Sequence, residues 1–332
     1  MQRFPTISDF SFLTADTKTN LLSHSTMFEL TFLGTAATAP LPKRGLPSAI
    51  VSHDEYRFMI DCGEGTQRQL MTSGLGFRRL EHILITHPHL DHILGLGGIL
   101  STLSQWETLE RVSIYGGKAS LDRIEDLLYR IVFRGMRPPM EIALVDVQPG
   151  VILSGEDFDV VAFPVQHRGP DCYGFVFQEQ SRRPFLNDKA TELGVPNGPQ
   201  RKRLVKGEPI TLEDGRVITP DQVLGELQRG SKLVITGDVG ETDSMVKMAT
   251  EADVLVTEAT YSDTEVELAR MNGHITAGEA ARAARDANVR QLILTHISGR
   301  HREKDLETEA RGFFANTVIA RDFDAFKINK PM

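Results

Sequence analysis

The chain has 332 residues, 40% of them hydrophobic and 25% charged, which is the make-up of an ordinary water-soluble globular protein. No run approaches the roughly 18 uninterrupted apolar residues that a membrane span requires, residues 1–26 lack the pattern of a secretion signal, and two cysteines, Cys62 and Cys172, cannot build a disulfide scaffold. A cytoplasmic setting is therefore expected, and the net charge of −8 speaks only weakly against a nucleic-acid partner, because a metal site gathers carboxylates that bound cations then offset.

Residues 1–26 read as a disordered extension, and a single domain is expected from 27 to 330. Its first strand signal is Met27–Leu33, closed by Gly34. Ala49–Ser52 and Tyr56–Ile60 follow as strands around the polar turn His53-Asp54-Glu55. A Gly-rich turn, Asp61 to Thr66, then leads into a helix near Gln67–Ser73. His82–Thr86 reads as a short buried strand, Ile93–Leu100 as helix-like, Val112–Tyr115 as a strand, and Ser120–Phe133 has helical spacing. Strands are expected again near Val151–Leu153, Phe158–Phe163, Tyr173–Gln178, Leu233–Thr236, Val254–Thr257 and Gln291–Thr295. Helices at Ser244–Glu251 and Ala277–Asn288 separate the last three, with Thr276 as N-cap of the second. Strand-rich hairpins interleaved with helices predict a layered α/β protein. Residues 179–230 stand apart. They are polar, carry Pro184, Pro196, Pro199, Pro209 and Pro220, and read as an arm inserted at about 179–215.

The string that carries chemistry is Thr86-His87-Pro88-His89-Leu90-Asp91-His92, which holds three of the ten histidines. Alternate residues of an extended chain point the same way, so His87 and His89 can grip one ion. As the chain turns into a helix, Asp91 and His92 face a second position. Imidazole and carboxylate suit zinc and its first-row neighbours, manganese and iron included. Three further ligand-type residues follow apolar strands: His167, Asp238 and His296. Loops at strand ends are where sites are built, and Asp238 is the natural bridging carboxylate.

The His-x-His-x-Asp-His string resembles the metallo-β-lactamase superfamily. More narrowly, the chain resembles the ribonuclease Z family through Leu30–Thr35, Asp61–Gln67, Thr86–His92, Gly237-Asp238, Glu258-Ala259-Thr260 and Leu292–Ser298. The resemblance runs over about residues 27–328 in one order. It implies a four-layer αβ/βα sandwich with a projecting arm, and a zinc-dependent endoribonuclease that removes the 3′ trailer of precursor tRNA and leaves a 3′-hydroxyl. It further implies two zinc ions per subunit, one on His87, His89 and His167, the other on Asp91, His92 and His296, with Asp238 between them. Asp91 would orient or deprotonate the attacking water, and Glu258 would hold His274 as proton donor to the leaving ribose oxygen.

Between Ser181 and Lys206 seven cations (Arg182, Arg183, Lys189, Arg201, Lys202, Arg203, Lys206) face two acids, Asp188 and Glu192. A basic projection of this kind can hold a phosphate backbone. The family resemblance makes it the arm that grips the tRNA elbow, acting across a homodimer. Pro40-Leu41-Pro42-Lys43-Arg44-Gly45 resembles the family's loop that senses a CCA end, but Gly45 stands where Asn is expected, and His301 stands where Tyr commonly follows Ser-x-Arg. Two other classes remain: a small-molecule phosphodiesterase, lactonase or arylsulfatase, which needs no basic arm, and a metal-stabilised RNA-binding protein, which needs neither Glu258 nor His274.

Overall fold

The computed structural model describes residues 27–329; the extension expected at 1–26 lies outside them. The first half lays down β1 (Phe28–Gly34), β2 (Ser48–His53), β3 (Tyr56–Ile60), helix α1 (Thr66–Thr72), β4 (His82–Leu84), α2 (Leu90–Ile93), α3 (Leu96–Trp106), β5 (Arg111–Gly116), α4 (Lys118–Glu125) and β6 (Glu141–Asp146). The second half supplies β7 (Gly150–Ser154), β8 (Phe158–Pro164), β9 (Tyr173–Glu179), α5 (Asn187–Glu192), α6 (Pro199–Val205), β10 (Ile210–Thr211), β11 (Val217–Ile218), α7 (Pro220–Val223), β12 (Lys232–Ile235), α8 (Asp243–Ala249) and β13 (Val254–Glu258). It ends with α9 (Val266–Asn272), α10 (Ala277–Asp286), β14 (Gln291–Thr295), α11 (Glu303–Phe313), β15 (Thr317–Ile319) and β16 (Ala325–Ile328).

Two seven-stranded sheets result, ordered β16-β1-β2-β3-β4-β5-β6 and β15-β14-β13-β12-β9-β8-β7. Each follows one plan. Three antiparallel pairings run from one edge and three parallel pairings complete the sheet. Burial in β1 alternates as a one-faced strand requires, with Phe28, Leu30 and Phe32 inward and Glu29 outward. Those three join Phe58, Phe158, Phe175 and Phe177 in the core between the sheets. A second core packs α1, α3 and α4 on the outer face of the first sheet. A third packs α8, α10 and α11 on the second, where Ala277, Ala280, Ala281 and Ala284 let α10 lie close. Three cores between four layers make the αβ/βα sandwich of the metallo-β-lactamase fold.

Several elements differ from their sequence signals. The strand expected at His82–Thr86 stops at Leu84, because Thr86 leaves the sheet to bind Asp61. The helix-like stretch Ile93–Leu100 is two helices, α2 and α3, which meet at Leu94-Gly95. The helix over Ser120–Phe133 begins as α4 and widens into a π-helical stretch at Asp126–Val132. Thr276 caps α10 as expected, accepting from the Glu279 backbone N–H at 3.1 Å within a reciprocal capping box.

The insertion is more ordered than its composition predicts. Ala190, Val195, Leu204, Ile210, Ile218 and Val223 form a small core of their own. The unit occupies everything between β9 and β12, so the boundary expected near 215 falls inside the β10–β11 hairpin. Its two ends are tied together where Arg182 and Gln228 exchange backbone hydrogen bonds at 2.9 Å. No helix among the described residues is long and apolar enough to cross a membrane.

Candidate metal centre

The site lies where strands of both sheets end. His87, His89, Asp91 and His92 follow β4, Asp238 follows β12, and His296 follows β14. His167 stands in the turn between β8 and β9. The structure brings all seven together. His87 Nε2, His89 Nδ1 and His167 Nε2 lie 3.1 and 3.2 Å apart through the shared His89 nitrogen. That spacing suits three nitrogens about 2.0–2.1 Å from one zinc-like ion. Asp91 Oδ2 lies 3.6 Å from His92 Nε2 and 3.7 Å from His296 Nε2. Asp238 Oδ2 stands between the two groups, 3.7 Å from His87 Nε2, 3.6 Å from His92 Nε2 and 3.3 Å from His296 Nε2. These groupings can hold a metal ion. Of the twelve buried side-chain atoms among the described residues with no hydrogen-bond partner, three lie in these groupings: His92 Nε2, His296 Nε2 and Asp238 Oδ1. Orphaned buried polar atoms are costly.

The protonation states of His87, His89, His167 and Asp238 suit ligation. Burial, with His92 nearby, holds His87 well below the ordinary imidazole range. Burial also lowers His89 and His167, so these three are ready as neutral ligands. Burial alone would raise Asp238, but His296, His92 and His87 outweigh it and keep the carboxylate well below its usual range. For His92, burial lowers the pKa, while Asp61 and Asp238 together raise it well above the ordinary value. Buried Cys62 and Cys172 are pushed up by desolvation and carry no ligand-type thiolate.

Backbone geometry is fitted to the site. Asp61 and His296 both adopt φ of +55°, an uncommon conformation for such residues, each just beyond a strand end. Gly237 has φ of +68°, and a Cβ there would meet the Thr86 side chain at 2.8 Å, so only glycine lets Asp238 approach. His167 Nδ1 donates to Gly273 O at 2.7 Å, which leaves Nε2 for a metal. The next residue, His274, directs Nδ1 at Glu258 Oε1, 2.8 Å away. Burial lowers the His274 pKa, but Glu258 and Asp238 raise it to about 9 overall.

Asp61, Thr86 and Thr260 hold the ligand-type side chains; they lie in the segments that carry the family resemblance, but those segments do not reveal their contacts. Asp61 accepts from His92 Nδ1 and Thr86, and Thr260 touches both Glu258 and His296. Their hydrogen bonds span up to 36 residues, and a pattern read along the chain cannot see them.

In the Pro40–Gly45 loop the two cations differ in exposure. Arg44 is buried and donates to Thr35 Oγ1, Ala320 O and Glu303 Oε2 at 2.6–2.8 Å, so this guanidinium braces the interior. Lys43 is exposed and borders a cleft of about 710 Å³ that Arg68 and Phe323 also line. His301 Nε2 lies 2.6 Å from Glu265 Oε2, and Arg300 holds the other Glu265 oxygen at 2.5 Å. On the insertion, Arg183 pairs with Asp221 and Arg203 with Glu208. Arg201 is tied to Asn187, Thr191 and Val195 O. Arg182, Lys202 and Lys206 present exposed side chains.

Comparison with known proteins decides the family. The family described as Beta-lactamase superfamily domain matches residues 209–297, and that described as Anti-Pycsar protein Apyc1 matches residues 28–180. A Ribonuclease Z from Bradyrhizobium diazoefficiens is 45% identical over 298 residues, 90% of this chain and 99% of the relative. This chain belongs to the ribonuclease Z family. A Ribonuclease Z from Archaeoglobus fulgidus is 40% identical over 91% of this chain and 98% of its own length. Among solved structures, the short form of human tRNase Z superposes with a TM-score of 0.64 at 27% identity, covering 91% of this chain and 99% of its own. The family expected from the sequence is the family found.

Proposed function

We propose that this ribonuclease Z family member is an endoribonuclease that hydrolyses precursor tRNA on the 5′ side of its 3′ trailer, leaving a 3′-hydroxyl. The observation that carries this reading is the pairing of His274 with Glu258 beside the seven ligand-type residues. A metal-stabilised RNA-binding protein would have no use for a buried imidazole–carboxylate pair aimed at the same space.

In this reading His87, His89 and His167 would hold one zinc ion and Asp91, His92 and His296 a second, with Asp238 placed to serve both. When bound, they supply Lewis acidity and ease deprotonation of the attacking water. The side chains do the rest. Asp91, held as carboxylate by His296 and His92 against the effect of burial, orients that water. Glu258 keeps His274 protonated, and His274 passes its proton to the departing ribose oxygen. Arg182, Lys202 and Lys206 of the insertion meet tRNA phosphates, with Arg183, Arg201 and Arg203 shaping that surface. The family resemblance supports a homodimer in which the insertion of one subunit serves substrate on the other.

The test is incubation of purified protein with precursor tRNA and mapping of the new 3′ end, with Asp238→Ala as control. Cleavage at the trailer boundary that Asp238→Ala abolishes is expected. Fast hydrolysis of lactones or simple phosphodiesters with intact precursor tRNA would instead establish a small-molecule hydrolase.

A further inference from the structure

Two hydrogen-bonded chains with the same wiring flank the metal centre. In the first, the Thr86 hydroxyl donates to Asp61 Oδ2 at 2.8 Å and lies 2.9 Å from His87 Nδ1. Asp61 Oδ2 is also 2.8 Å from His92 Nδ1. In the second, the Thr260 hydroxyl donates to Glu258 Oε2 at 2.5 Å and lies 2.9 Å from His296 Nδ1. Glu258 Oε1 is 2.8 Å from His274 Nδ1. Each chain reads histidine, threonine, carboxylate, histidine. They are built from different strands: Asp61 follows β3 and Thr86 follows β4, whereas Glu258 ends β13 and Thr260 follows it.

A hydroxyl has one proton. Thr86 and Thr260 each give it to a carboxylate, which can only accept. Each hydroxyl must therefore accept from its neighbouring histidine, so His87 and His296 carry their proton on Nδ1 and present a bare Nε2. The carboxylates likewise require a proton on Nδ1 of His92 and His274. All four residues of the threonine–carboxylate pairs are at least nine-tenths buried, so water does not substitute for either hydroxyl.

We propose that Thr86 and Thr260 are matched positioning residues. Each hydroxyl fixes the tautomer of one metal-facing histidine and, through its carboxylate, the ring of a second histidine. The two chains differ in what they end on. Thr86 serves two ligand-type residues, His87 and His92, so it governs metal affinity. Thr260 serves one, His296, and the proton donor His274, so it also governs turnover. The division of labour rests on the proposed metal and proton-donor roles; the tautomers do not.

The test begins with long-range 15N–1H histidine spectra of the full-length, metal-free protein at a pH of about 8, above the usual imidazole range. His87 and His296 are expected as Nδ1–H tautomers; finding either as Nε2–H overturns the proposal even if no variant folds. Thr86→Val and Thr260→Val should release the tautomer of His87 and His296 respectively, and Thr→Ser at each position should restore it. Zinc competition against a chromophoric chelator should show affinity reduced about 10–100-fold in Thr86→Val and recovered in Thr86→Ser. Thr260→Val should lower kcat with KM little changed, again with recovery by serine. Folded valine variants that keep both tautomers and full zinc affinity would overturn the assignment. Tautomers as expected in a protein that leaves precursor tRNA intact would retain the relays and reject the tRNA reading.

Discussion

In the proposed reading, the pair His274–Glu258 sets the pH behaviour of the site. A proton donor must be protonated, and its pKa is raised to about 9 by Glu258 and Asp238 against the lowering effect of burial. The active form is therefore complete at lower pH and is lost as pH rises through that value. Cations bound opposite push the value down, so the alkaline fall in kcat is expected between neutrality and about 9. Glu258→Gln removes the first raising influence and should move that fall to lower pH. His274→Ala should abolish it and cost about 10²–10⁴ in kcat. Gly237→Ala is a backbone test: φ of +68° and a 2.8 Å approach to Thr86 should cost about 1–3 kcal/mol, read by chemical denaturation. At this scale the sequence was informative for one class of residue. His87 to His92, His167, Asp238 and His296 follow strands, and strand ends can be read from apolar runs. Asp61, Thr86 and Thr260 lie in segments that carry the family resemblance, but their contacts to His92 and His296 reach across the fold and are not readable from those segments.

Elements whose burial is periodic were legible, and those stabilised mainly by their neighbours were not. β6 is half-buried along Ile142–Val145 with no alternation to detect. α9 buries only Ala269, so its seven residues lack an apolar stripe, although it ends at the Gly273 turn that presents His274. The order of the insertion is hard to read from the sequence because its core is small and split between two helices, a hairpin and α7. That core makes two predictions. Leu204, fully buried, should cost the insertion about 2–5 kcal/mol as alanine, visible as faster proteolysis confined to residues 180–230. Excision must respect the closure at its base. Removing residues 183–227 and joining Arg182 to Gln228 by a short glycine link should preserve the sandwich. Weaker binding of full tRNA is expected, with turnover of a short acceptor-stem substrate retained. Equal loss on both substrates would mean that the insertion also shapes the catalytic centre.

For the whole molecule, the metal centre is a seam. His87, His89, Asp91 and His92 come from the first half and His167, Asp238 and His296 from the second, so a metal held by them would join the two sheets. Zinc should raise the melting temperature of the chelator-treated protein in proportion to ln(1 + [Zn]/Kd), and Asp238→Ala should lose most of that gain; differential scanning calorimetry reads both. One pairing within the first sheet bears on how the chain is made. β16, the last strand among the described residues, pairs with β1, the first of them. A nascent chain that has reached Asn316 already holds all seven ligand-type residues, yet β1 still lacks one neighbour and presents an open edge, the kind of surface on which chains aggregate. Completion of the ligand-type set and closure of the sheet are thus separate points along the chain. A chain that stopped between Asn316 and Asp324 would carry the seven ligand-type residues yet leave the β1 edge open to other chains.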